Sequence, residues 1–150
     1  MTDDQKVSVF DVAKYILEHF SPNSLTSWKL QKLVYYCQAW SLVWDERRLF
    51  HEHFEAWADG PVCPVLFEKH RGKFDLFSAD IEGNPDNLDE LAKETVDAVI
   101  KFYGDKSGRF LSDLTHVEGP WLEARGDTPV GIRSHKEVTC DSMSEYYGGL

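Results

Sequence analysis

The chain has few of the residues that mark an oxidised or a membrane-bound protein. Its 150 residues include three cysteines, Cys37, Cys63 and Cys140, and no two of them form a C-x-x-C pair. No apolar run approaches the about 18 residues of a transmembrane helix, and no charged-then-apolar leader stands at the N-terminus. We therefore expect a cytoplasmic protein with reduced thiols and no membrane partner.

Positive charge is also scarce. The chain has 16 Lys and Arg against 26 Asp and Glu, which gives a formal net charge of -10. Proteins that bind nucleic acids release counterions from phosphates with a basic surface, and this chain has the opposite sign. The charge therefore disfavours direct nucleic-acid binding. It favours solubility or attraction to a basic protein partner.

Apolar and aromatic residues are plentiful. They make up 42% and 13% of the chain, and the aromatics include five tryptophans. A chain of this length buries about 70% of its unfolded surface, which is enough for one core. We therefore expect one compact domain over residues 1–150, with its core at about 9–147.

The spacing of apolar residues predicts a mainly α fold with small β elements. The helix predicted over residues 28–44 carries aromatic rings around most of its circumference, so we expect it to be central and packed on several sides. A strand or hairpin arm is expected within 50–57, a sharp turn at Gly60-Pro61 and a short strand around Ile132. The other predicted helices cover residues 9–19, 64–70, 87–103, 107–116 and 120–124, with a final turn ending at 146–147.

The segment from 75 to 97 is strongly acidic, with eight Asp and Glu against one lysine. Its acids favour a solvated helix face, and docking of a basic partner is the alternative. The helix over 87–103 is expected to turn one apolar side inward. The residues assigned to that inner side are Leu88, Leu91, Thr95, Val96, Val99 and Phe102.

Residues capable of chemistry form only weak patterns. His51 and His53 lie two apart and would need Cys63 or His70 to complete a zinc site, but no spacing matches a known zinc motif. Cys37 lies on the apolar side of a helix, where a thiol behaves as a small hydrophobe. Two other candidates are Cys63 and the Thr115-His116 pair, for which structural roles are expected. The sequence thus predicts no catalytic, cofactor-binding or metal-binding residue, and no enzyme.

Several separate motifs together resemble the Panacea domain, the family of SocA-like and phage-associated GepA-like antitoxins. The resemblance covers residues 9–147 in the order of the family. The motifs are L-Q-K-L-V-Y-Y-C-Q-A-W at 30–40, L-F at 49–50, E-A-W-A-D-G-P-V at 55–62, Y-G at 103–104, L-S-D-L-T-H at 111–116 and P-W-L-E-A-R at 120–125.

The resemblance implies an antitoxin that neutralises a cognate protein toxin by direct contact. Two alternatives remain open: an adaptor that delivers the toxin to an AAA+ protease, and a hydrolase or metal-binding protein. Because binding interfaces depend on a few large anchors, Trp57, Asp59 and Trp121 are the predicted partner-binding residues. Each also has a structural interpretation, which is the stronger one.

Overall fold

The computed structural model describes residues 7–150 of the chain. In this range the protein is mainly helical with small strands, as predicted, and no helix there is long and apolar enough to cross a membrane. The helices are α1 (Val9–Phe20), α2 (Ser27–Trp40), α3 (Pro64–His70), α4 (Glu90–Tyr103), α5 (Gly108–His116), α6 (Gly119–Arg125) and α7 (Cys140–Gly148). The strands are β1 (Leu25–Thr26), β2 (Phe54–Trp57), β3 (Gly60–Val62), β4 (Asp75–Leu76) and β5 (Glu137–Val138).

Helix α1 begins with a capping box. The backbone N–H of Asp11 donates to Ser8 Oγ at 3.4 Å, and the N–H of Ser8 donates to Asp11 Oδ2 at 3.0 Å. Asp11 is buried, and its carboxylate also accepts hydrogen bonds from the Asn84 N–H and from the Asn87 side-chain amide. The cap therefore joins α1 to the loop before α4.

Helix α2 is buried along residues 30–39 and packs against α1, α4, α5 and α7. Two of its buried amides bind backbone of irregular segments. Gln31 exchanges hydrogen bonds with the backbone of Cys63, and Gln38 accepts from the Leu49 N–H and donates to the Phe50 carbonyl. Polar residues of α2 thus satisfy backbone groups that no sheet reaches.

The strands form two small antiparallel sheets. One pairs β1 with β4, and the other has the order β3-β2-β5, with Ala56 opposite Pro61 and Phe54 opposite Val138. β3 is an edge strand, where a proline costs no ladder hydrogen bond. The turn predicted at Gly60-Pro61 lies at residues 58–59, just before Gly60. The strand expected around Ile132 is β5, which begins five residues later.

Two predictions about helices were wrong in detail. The α-helical part of the segment 28–44 ends at Trp40 and continues as one π-helical turn, Ser41–Asp45. On α4, Leu91 is 46% exposed and Phe102 is 70% exposed, so neither faces inward. The other predicted inner residues, Leu88, Thr95, Val96 and Val99, are buried. The buried stripe of α4 also includes Ala92 and Tyr103, so its centre is rotated by about 100° from the position of Leu91.

Candidate functional site

The β2–β3 hairpin is held by side chains from two helices that follow it in the chain. Four successive carbonyl groups of the hairpin each accept a hydrogen bond, in an order that runs backward along α6 and α5. The pairs are Arg125 to Ala56 at 3.1 Å, Trp121 to Trp57 at 2.9 Å, His116 to Ala58 at 3.0 Å and Ser112 to Asp59 at 2.5 Å. Because a carbonyl only accepts, the His116 bond requires a proton on Nε2.

Lys32 of α2 also binds the backbone of this hairpin. Its side chain is fully buried, and its Nζ donates to the Pro61 carbonyl at 3.5 Å. Burial lowers the pKa of Lys32 to about 8. Gly60, with a φ of +123°, lies so close that a Cβ there would be 2.6 Å from Lys32 Cε. Only glycine fits this corner without displacing the lysine.

The three residues predicted to bind a partner lie around this one hairpin turn. The Trp57 ring contacts Phe67 edge-on at 4.9 Å and lies under the guanidinium of Arg133 at 3.8 Å. The indole N–H of Trp121 donates a hydrogen bond to the Trp57 carbonyl, whereas Asp59 is exposed. The two indoles therefore hold the hairpin in place, and Asp59 presents its side chain to solvent.

Two of the histidines considered as zinc ligands, His53 and His70, have other partners. His70 is buried, with its Nε2 3.0 Å from the Gln31 amide, and the Nε2 of exposed His53 lies 3.2 Å from the Glu55 carboxylate. Residues 7–150 contain no group of three or more His, Cys, Asp or Glu placed to hold a metal ion. Burial raises the pKa of Cys37, and raises that of Cys63 to about 11, so both thiols are protonated at neutral pH.

Glu118, just before α6, is a buried acid that sequence reasoning did not single out. The phenols of Tyr36 and Tyr147 both donate to its Oε1 at 2.7 Å, and Tyr147 also bonds to Tyr35 at 3.1 Å. Burial raises the pKa of Glu118. No local sequence pattern indicated its burial, because its partners come from α2 and α7.

A hydrophobic groove lies between the π-helical turn and the end of α4. Its volume is about 520 Å³, and its lining residues are Trp40, Trp44, Ala98, Val99, Lys101, Phe102 and Tyr103. Trp44 is 51% exposed and Phe102 is 70% exposed. Sequence reasoning missed this surface because it assigned Phe102 to the core. No local signal separated Leu91 and Phe102 from the stripe through Val96 and Val99, because both faces of α4 carry apolar residues.

One family model matches the chain over residues 30–122, and it describes the SocA-like antitoxin, Panacea domain. The chain belongs to the Panacea-domain family. This confirms the resemblance seen in the sequence motifs, and the family is one of antitoxin-like proteins rather than a known enzyme family. Neither the curated proteins nor the solved structures include a significant match to the chain.

The structure explains why the Panacea motifs of this chain occur together. The L-Q-K-L segment of α2 supplies Gln31, which binds the Cys63 backbone just after β3, and Lys32. The A-W-A-D-G-P segment supplies the hairpin carbonyls that Lys32 and the later helices bind. The L-S-D-L-T-H and P-W-L-E-A-R segments supply Ser112, His116 and Trp121. These four motifs therefore meet at the β2–β3 hairpin and hold the fold there.

Proposed function

We propose that this Panacea-domain protein is an antitoxin that neutralises a protein toxin by direct contact in the cytoplasm. The observation that carries the proposal is the family match over residues 30–122. The side chains that could act as acids, bases or nucleophiles support a binding role rather than catalysis, because they already make hydrogen bonds within the fold. Lys32 and His116 bind backbone carbonyls, and Glu118 accepts two phenols.

The proposal includes one domain over residues 1–150 with α2 as its central support. Burial of α2 over residues 30–39 and its packing against four other helices support this view. A rigid core of this kind holds exposed side chains in fixed positions, which lowers the entropy lost on binding.

Partner binding by Trp57, Asp59 and Trp121 remains part of the proposal. Of the three, Asp59 is the residue that can be changed without removing a side-chain hydrogen bond of the hairpin, because Ser112 binds its backbone carbonyl. Asp59→Lys should weaken binding of a basic toxin by about 10-fold if the residue lies in the interface, mainly through a slower association rate. An unchanged rate would remove Asp59 from the interface.

The proposed function is tested with the reading frame adjacent to the gene. Expressed alone, that frame should stop growth, and co-expression of this chain should restore growth and yield a complex of the two purified proteins. Absence of toxicity, or toxicity without rescue, would refute the proposal. Rescue that requires an intact AAA+ protease, with no stable complex, would instead identify the chain as a proteolytic adaptor.

A further inference from the structure

The groove at the end of α4 exposes aromatic surface on a rigid floor. Trp40 stacks on Trp44 with ring centroids 5.0 Å apart, and the Trp40 indole N–H donates to the Tyr103 hydroxyl at 2.9 Å. Tyr103 in turn stacks on buried Tyr36 at 4.1 Å. The floor is therefore fixed by the core, while Trp44 and Phe102 form exposed walls.

The π-helical turn Ser41–Asp45 creates one wall of this groove. It continues α2 beyond Trp40 and ends at Glu46, which has a left-handed backbone with φ of 55°. Single π-helical turns inside or at the end of α-helices are frequent at functional sites. Here the turn carries Trp44 out over the groove, at 51% exposure, rather than into the core.

The apolar surface continues along α4 toward its N-terminus. Leu91, Ala98 and Phe102 follow one another at intervals of seven and four residues, so they share one face of the helix. From Leu91 to Phe102 this face is about 16 Å long at the helical rise per residue. That length suits about three turns of a second helix.

Carboxylates border this apolar face. Glu90, Glu94 and Asp97 are exposed on α4, where Asp97 also accepts from the Tyr15 hydroxyl of α1 at 2.8 Å, and exposed Glu46 ends the π-helical turn on the other side. Among the described residues, Lys101 is the single charged one in the groove lining. Together with the formal net charge of -10, this border favours a partner that presents basic residues beside apolar ones.

We propose that the groove is the docking site for a basic amphipathic helix of the toxin. This inference rests on the proposed antitoxin function and adds a second toxin-binding surface to the hairpin residues, together with the partner segment that it binds. The apolar side of the helix lies on Trp44 and Phe102, and its Lys or Arg side chains face the carboxylates of α4. Exposed Trp residues in a rigid setting are the usual anchors of such interfaces.

The test compares two double variants that remove similar amounts of exposed aromatic surface. Trp44→Ala with Phe102→Ala alters the groove, and Trp28→Ala with Phe74→Ala is the matched control. Trp44 and Phe102 are 51% and 70% exposed, and Trp28 and Phe74 are 44% and 68% exposed. Calorimetric titration with purified toxin should show at least a 100-fold weaker Kd for the groove variant and less than a threefold change for the control.

Charge reversal adds a second measurement. Glu90→Lys with Glu94→Lys should slow association with the toxin by about 10-fold at low salt and reduce the salt dependence of the rate. Equal affinities for wild type and the groove variant would overturn the inference, although rescue of growth by both would leave the proposed function standing.

A model peptide keeps the inference testable without the toxin. The probe is a synthetic helix with leucines on one side and lysines on the other, with a scrambled peptide as control. Peptide binding that is lost in the groove variant supports the docking site even if the chain neutralises no toxin. Failure of the helical peptide to bind wild type better than the scrambled one overturns it. So does concentration-dependent dimerisation that only the groove variant loses, because the occupant would then be a second copy.

Discussion

Replacement of Gly60 by alanine should destabilise the protein by about 2–6 kcal/mol. The positive φ of +123° costs a non-glycine residue about 1–3 kcal/mol. The new Cβ would also lie 2.6 Å from Lys32 Cε and 3.0 Å from Thr115 Oγ1. Lys32 is fully buried and Thr115 is held by the Ser112 carbonyl at 2.7 Å, so neither moves freely. Overpacking of this kind adds about 1–3 kcal/mol.

Gly72→Ala provides a matched control for the Gly60 variant. Gly72 also has a positive φ, +84°, but a Cβ there meets no heavy atom within 4 Å. It should therefore lose only the backbone contribution of about 1–3 kcal/mol. Urea unfolding followed by tryptophan fluorescence gives the free energy of unfolding for both variants. Equal losses for the two variants would show that Lys32 does not fill the hairpin corner as described.

Three further predictions concern buried titratable groups. Burial lowers the pKa of Lys32 from 10.5 to about 8, so the folded state disfavours the ammonium. The free energy of unfolding of wild type should therefore rise by about 3 kcal/mol relative to that of Lys32→Met as the pH increases from 8 to 10.5. Urea unfolding at a series of pH values measures this difference. Glu118→Ala leaves two phenols without an acceptor and should cost about 2–4 kcal/mol of unfolding free energy, whereas Glu118→Gln keeps an acceptor and should cost less than half as much. A thiol reagent should label half-buried Cys140 in the native protein and reach Cys37 and Cys63 only after unfolding, and rapid native labelling of all three would contradict their burial.

The starts of α1, α5 and α7 depend on capping, which is a local interaction. Ser8, Ser107 and Thr139 each accept a hydrogen bond from the backbone N–H three residues later. The inner face of α4 was not predictable in the same way. Leu91 and Ala92 are neighbours on the helix, and only the packing against α2 determines which of the two is buried.

The predicted binding residues show the same division. Trp57, Asp59 and Trp121 were chosen by residue type, and the structure does bring them to one hairpin turn. The bond between the Trp121 indole and the Trp57 carbonyl joins residues 64 apart in sequence, so no local pattern could indicate it. A tryptophan that anchors a partner and one that anchors a hairpin have the same sequence signature.

The sequence alone determined the helical class, the acidic surface and membership of the Panacea-domain family, because these follow from composition, short-range spacing and the order of motifs. Only the tertiary structure decided which polar groups are buried and which aromatic rings stay exposed. Lys32 lies under Gly60 and Glu118 lies beneath two tyrosines, while Trp44 and Phe102 face solvent. The physical reason is that burial depends on neighbours from distant segments, which short-range spacing does not record.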